Sequence, residues 1–242
     1  MWELPGSKYS LEAREVAVLP IGSLERHGDH LPLGTDAIEA AWVAKQVADR
    51  LGAHLFPTIW YGVSPGLSRF DGTVSVSADA FTAYVYDVLK EIARNGYRIV
   101  VIINGHGGNS AAIRVAMKKA AYETGATYAM FDWWRDVGRD SLAKLFTSPG
   151  HAGEDETSAM LYIDGEHVDM SSAQAHSSPY MPSMYVESVD LDRLLYPEAV
   201  LGDPTKASAE KGRQWLEAVV EEIVNKVWEL RSALAASRLN PS

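Results

Sequence analysis

Apolar residues follow two spacings along this chain. Continuous apolar runs at residues 15–21 (EVAVLPI) and 98–104 (RIVVIIN) predict strands covered on both faces. Shorter runs at 54–59 and 127–131 predict two more, and 73–76 reads as extended. Between these runs the apolar positions recur at helical spacing. Ile38, Trp42, Val43 and Val47 share one side of a helix predicted over 36–51 and closed by Gly52. A second helix runs from a Ser77 cap through Arg94 to Asn95-Gly96. A third starts at Asn109 or Ser110, reaches about Glu123 and ends at Gly125. Residues 132–153 read as mostly irregular, with one short helix at 140–146. Residues 154–161 open in acidic side chains, which suit the positive end of a helix dipole. Residues 164–203 hold three Pro and several Ser clusters and read as loop, and a long last helix is predicted from Pro204 or Thr205 to about Ala236. This alternation, without repeats or an obvious linker, predicts an α/β fold. It has three layers (α/β/α), a largely parallel central sheet and a single domain over residues 1–242.

In such folds ligands sit beyond the carboxyl ends of the strands. The polar residues concentrate there. GSLERHGDHLPLGTD (22–36) follows the first strand, NGHGGN (104–109) follows the strongest strand, and HAGEDETS (151–158) opens a helix. Four of the seven histidines, His27, His30, His106 and His151, fall in these segments beside Glu25, Asp29, Asp36 and Glu156. Imidazoles mixed with carboxylates suit Zn, Mn or Fe better than Mg or Ca alone. Residues i and i+2 of an extended segment point the same way, so Glu25 and His27 can serve neighbouring ions. Asp36, at the entry to the next helix, has two oxygens that could bridge a metal pair. Residues 60–72, with three Gly and one Pro, read as a long loop, and its glycine-rich part at 62–72 could cover a pocket.

Composition narrows the picture. The net charge of −10 speaks against a nucleic-acid or anionic-membrane partner, both of which need a basic face. The absence of cysteine excludes disulfides, thiolate metal sites and a cysteine nucleophile. No basic stretch followed by an apolar run precedes residue 10, so a cytoplasmic location is expected. Rival motifs fail: Ser110 stands where a third dinucleotide-binding glycine would be, and there is no Walker A loop, no H-E-x-x-H and no G-x-S-x-G.

The three segments, in this order and with FDGTVS near residue 70, resemble the signatures of the creatininase (creatinine amidohydrolase) family over roughly residues 15–165. The resemblance implies a metal-dependent hydrolase of cyclic amides or other C–N bonds with two divalent ions per chain. By motif position Glu25 and His106 would hold one ion, His27 and Glu156 the other, and Asp36 both. His151 matches the family's proton-shuttling histidine. A small-molecule amide substrate and a homo-oligomer, a hexamer among its forms, are implied as well. The chain departs from creatininases at two positions: Gly108 stands where they carry a glutamate ligand, and Gly107 where an aromatic touches creatinine. GHGGN occurs in branches resembling a formamide hydrolase and the mycofactocin-maturation peptidase.

Plainer readings exist for the same residues. Glu25, His27 and Asp36 could form a hydrogen-bonded turn, and His106 a structural histidine beside glycines. Glu154 and Asp155 compete with Glu156 as helix-opening acids, and the family position selects Glu156. His151 could simply bond a loop carbonyl, and His30 reads as structural or as support for a ligand. His54, His167 and His176 stand alone. Asp132, Trp133 and Trp134 could wall the pocket, with a packed aromatic pair as the default. The last helix reads as solvated and amphipathic, or as a subunit contact. A non-catalytic metal-binding assembly protein is the alternative from another class.

Overall fold

The computed structural model describes residues 6, 9, 15–184 and 186–239. Four parallel strands form one sheet in the order β2-β1-β3-β4: β1 (Val16–Ile21), β2 (His54–Leu55), β3 (Ile99–Asn104) and β4 (Thr127–Asp132). β1 and β3 pair along their whole length, from Val16 opposite Ile99 to Ile21 opposite Asn104, and every residue of both is buried. That is why they read as unbroken apolar runs.

Alternate side chains divide between two cores. Val16, Val18, Ile99, Val101 and Ile103 face α1 (Thr35–Leu51) and the long α8 (Ala209–Leu239), against Val43, Val47, Trp215, Val219 and Ile223. Ala17, Leu19, Ile21, Val100 and Ile102 face α2 (Ala78–Arg94) and α3 (Ser110–Thr124), against Phe81, Val85, Leu89, Ile92 and Ile113. This is the expected α/β/α layering, with helices on both faces of a parallel sheet. Two short helices follow β4, α4 (Trp133–Asp136) and α5 (Arg139–Leu145); α6 (Glu154–Asp164) packs on α8. None of the described helices is long and apolar enough to cross a membrane.

The differences from the expected elements have local causes. Strand β2 stops at Leu55: the Phe56 N–H still donates to the Val18 carbonyl, but the next donor of the ladder would be Pro20 of β1, which has no N–H, and bridging resumes at Ile59, opposite Ile21. The stretch read as loop contains α7 (Val189–Leu195), started by Ser188, whose hydroxyl accepts from the Leu191 N–H. The last helix begins at Ala209 and continues past Ala236. Pro204–Lys206 is a separate turn held by Asp203, and the hydroxyl of Ser208 accepts from Lys211 N.

Glu154 fixes α6 in place. Its Oε2 accepts from the N–H groups of Thr147 (2.8 Å) and Ser148 (2.9 Å), and Oε1 pairs with Lys211 Nζ of α8 at 2.6 Å. Burial pushes its pKa up, but Lys211 and the two N–H groups outweigh that and hold it below the ordinary glutamate value. Glu154→Ala leaves buried donors unpaired and should cost roughly 2–4 kcal/mol in denaturant unfolding. Because the folded pKa is depressed, the Glu154 contribution is complete above the ordinary value and is lost as pH falls through the lower one. Urea midpoints of wild type and variant at neutral and acid pH check both statements: they should converge in acid.

Candidate metal centre

Three chain segments meet at the carboxyl ends of β1 and β3. The first, leaving β1, is extended and carries Glu25 and His27. The second, leaving β3, carries His106. The third turns into α6 and carries His151 and Glu156. Asp36 enters from the first turn of α1. The approach is close enough that a Cβ at Gly105 would lie 2.2 Å from the Asp36 carbonyl oxygen, so only glycine fits there.

The six residues named from the sequence converge. Glu25 is 1% exposed, His27 0% and Asp36 3%. His106, His151 and Glu156 are slightly more open. The two oxygens of Asp36 face different partners: Oδ1 lies 3.1 Å from His27 Nε2, and Oδ2 3.1 Å from His106 Nδ1. His106 Nδ1 is also 3.1 Å from Glu25 Oε2, and His27 Nε2 is 3.7 Å from Glu156 Oε2. Two groups with metal-ligand spacing result, Glu25–Asp36–His106 and His27–Asp36–Glu156; a third, Glu25–His27–His151, overlaps them. A hydrogen-bonded turn accounts for part of the contacts of Glu25, His27 and Asp36, since His27 Nδ1 lies against the Glu25 carbonyl. Glu25 Oε2, His27 Nε2 and Asp36 Oδ2 are buried without a hydrogen-bond partner, so these atoms are close without being aligned on one another.

Each imidazole is oriented from behind. His27 Nδ1 lies 3.1 Å from the Glu25 carbonyl and His106 Nε2 2.9 Å from the Val63 carbonyl. A carbonyl can only accept, so these nitrogens carry the protons and the opposite ones present lone pairs to the cluster. His151 follows the same rule, with Nε2 3.0 Å from the Arg26 carbonyl and Nδ1 3.9 Å from Glu25 Oε1. Its ring tilts against His27 at a centroid distance of 4.2 Å and meets Tyr196 edge-on at 5.4 Å. Ala152, next to it, has φ +49°, a conformation that costs a non-glycine residue ~1–3 kcal/mol. It turns its N–H onto Glu156 Oε2 at 2.6 Å.

The electrostatics fit a cation. Among the described residues no lysine or arginine pairs with Glu25, Asp36 or Glu156. Burial works against charge on His27, but Asp36 and Glu156 outweigh it and raise its pKa to about 10. His106 is raised well above its ordinary value by Glu25 and Asp36, again against burial. Burial and the neighbouring carboxylates Asp155 and Asp36 lift Glu156 to about 8, whereas burial and His27 hold His151 down to about 4. Without metal the cluster must take up protons to balance its carboxylates, and a divalent ion on the same donors removes that need.

The remaining expectations sort by position. Of the three helix-opening acids only Glu156 reaches the cluster: Glu154 is turned toward Lys211, and Asp155 accepts from the Gly150 N–H. His30 is buried against Thr157 Oγ1 at 2.9 Å and belongs to no ligand group. His54 bonds the Tyr97 hydroxyl. His167 sits in an exposed group with Asp164 and Glu166. Trp133 is not in a pocket wall: it packs on Trp215 in the core at 4.9 Å. Asp132 lies under the site, bonded to Asn104 and Ser110. Asn109 does not cap α3 with its side chain, which instead bonds Gly22 and Val63. The 60–72 loop is tied down: Arg69 donates to the carbonyls of Gly66, Asp192 and Tyr196. A groove of about 470 Å³ beside Trp60, Phe81 and Tyr84 contains none of the six residues. Tyr196 was not expected, since it follows a helix that the serine- and proline-rich pattern concealed.

The family model described as creatininase, creatinine amidohydrolase, matches residues 6–227. The chain belongs to the creatininase family. As a member it is a hydrolase acting on C–N bonds. It is 32% identical to a creatinine amidohydrolase of Pseudomonas putida over 232 residues, 88% of this chain and 89% of that one. It is 34% identical to a mycofactocin precursor peptide peptidase of Mycobacterium ulcerans over 226 residues, 87% and 83% of the two chains. A structure titled Creatininase Mn superposes with a TM-score of 0.83 at 31% identity, covering 94% of this chain and 96% of that one.

Proposed function

We propose that this single-domain chain is a two-metal amidohydrolase whose substrate is not creatinine. The observation carrying the metal assignment is that the two oxygens of Asp36 face two separate histidine–carboxylate pairs. Glu25, Asp36 and His106 would hold one ion, and His27, Asp36 and Glu156 the other. The nitrogen and carboxylate donors suit Zn, Mn or Fe. Two divalent ions held there would supply a water nucleophile at neutral pH and Lewis-acid polarisation of an amide carbonyl.

The rest is done by side chains. His151, neutral and with its Nδ1 lone pair turned to the cluster, takes a proton from the attacking water. It then delivers that proton to the departing nitrogen, so that water is added across the C–N bond. The Arg26 carbonyl and the Tyr196 ring hold the imidazole in position for both transfers.

Position 108 is what argues against creatinine. A Cβ there would stand 2.0 Å from the Val63 carbonyl oxygen and 2.6 Å from His106 Nε2, so the glutamate of creatininases has no room. At Gly107 a Cβ would meet only Trp134, at 3.8 Å, so the start of a side chain there has open space. That opening, with the likeness to the mycofactocin peptidase, favours a second reading: a peptidase acting on a small modified peptide. The enzyme is further proposed to be a cytoplasmic homo-oligomer, a hexamer by family resemblance, with no nucleic-acid partner.

The test is a hydrolysis screen of Zn- or Mn-loaded protein against cyclic amides, formamides and short peptides. The expected result is turnover of one class, negligible turnover of creatinine, and loss of activity with a chelator. Creatinine as the best substrate would overturn the substrate reading; activity that survives complete metal removal would overturn the metal reading.

A further inference from the structure

Asn109 is fully buried, and its side chain touches the supports of both ligand loops. Nδ2 donates to the Gly22 carbonyl at 2.9 Å, where the segment bearing Glu25 and His27 begins. Oδ1 accepts from Val63 N at 2.8 Å. The carbonyl of that same Val63 faces His106 Nε2. Nδ2 also lies 3.4 Å from Asn104 Oδ1, and Asn104 bonds both the N–H and the carbonyl of His106. The packing leaves no slack, since a Cβ on Gly62 would stand 2.6 Å from Asn109 Oδ1 and 2.8 Å from the Gly22 carbonyl oxygen.

We infer that Asn109 is a positioning residue for the Glu25–Asp36–His106 ion, acting through Val63 to keep the proton on His106 Nε2 and the lone pair on Nδ1. The chain of cause is short. An amide that pulls Val63 N inward sets where the Val63 carbonyl points. That carbonyl selects which nitrogen of His106 is protonated, and only unprotonated Nδ1 faces Glu25 and Asp36. The His27–Asp36–Glu156 group depends on it less, because His27 takes its orientation from the Glu25 carbonyl and Asn109 reaches that segment only at Gly22. This inference rests on the two-ion reading above.

The experiment is Zn²⁺ titration of the full chain against a competing chelator, for wild type, Asn109→Ala, His106→Ala and the double variant, with thermal unfolding as the check on folding. Wild type should take up two ions. Asn109→Ala should weaken one of the two steps by ~10–100-fold, the usual cost of losing an outer partner of a ligand, and spare the other. The weakened step should be the one His106→Ala removes, and the double variant should be no worse than His106→Ala alone. Asn109→Asp keeps the acceptor for Val63 N and loses the donor to Gly22, so it should fall between wild type and Ala and serve if Ala does not fold. Unchanged affinity at both steps, or additive losses in the double variant, overturns the positioning role. A wild-type chain that binds no Zn²⁺ overturns the metal reading and this inference with it.

Discussion

Asp36→Ala should release both divalent ions and abolish hydrolysis. The two oxygens of this carboxylate reach both halves of the cluster, one 3.1 Å from His27 and the other 3.1 Å from His106. Removing it takes a donor from each ion, and the single negative charge they share, at once. The remaining donors are then two carboxylates and two neutral imidazoles around four positive charges, if both ions stay. The loss of affinity should exceed the ~10–100-fold that removing an outer partner costs. Metal analysis after gel filtration, together with turnover of the best substrate from the screen, reads both effects. Retention of two ions with normal turnover would remove Asp36 from the centre.

His151→Ala should do the opposite: keep the metal and lose the rate. Its Nδ1 stands 3.9 Å from Glu25 Oε1, on the rim of the cluster, and its other nitrogen is held by a backbone carbonyl. The two ion positions built on Asp36 do not include it. A positioned acid–base group contributes ~10²–10⁴-fold, so kcat should fall by that factor at unchanged metal content. His151 also belongs to a third group with Glu25 and His27, which gives the test its edge. If the variant loses an ion, His151 is a ligand, and the proton must be carried by another group.

The sequence placed the elements well wherever local chemistry decides them. Ile99–Asn104 reads as a strand because its side chains up to Ile103 are all apolar, and it is buried on both faces. Ser77 and Gly52 mark helix ends through hydrogen bonding and a left-handed φ of 62°, which are local properties. Elements were misjudged where a neighbour in space decides. The break in β2 depends on Pro20 of the adjacent strand, which has no N–H to give. Helix α7 lies in a segment whose serines and prolines suggest loop, although Ser188 is its cap.

The candidate site divides along the same line. Which residue types would gather was legible in the three motifs, because imidazoles and carboxylates crowded behind strand ends have few other uses. Geometry within the cluster was not. Glu154, Asp155 and Glu156 are equivalent on paper; the helix turns them about 100° apart, so one meets Lys211, one its own loop and one the ligands. The tautomers of His27, His106 and His151 are set by the carbonyls of Glu25, Val63 and Arg26, and the last two lie 43 and 125 positions from the histidines they orient. Asn109 reads as a helix cap, and Tyr196 gives no signal, until the chain closes around them. By itself the sequence determined the fold class and the residue types of the candidate site, because patterning and residue chemistry are local. The tertiary structure alone decided which atom of each donor faces inward, because that choice belongs to backbone groups brought near only by folding.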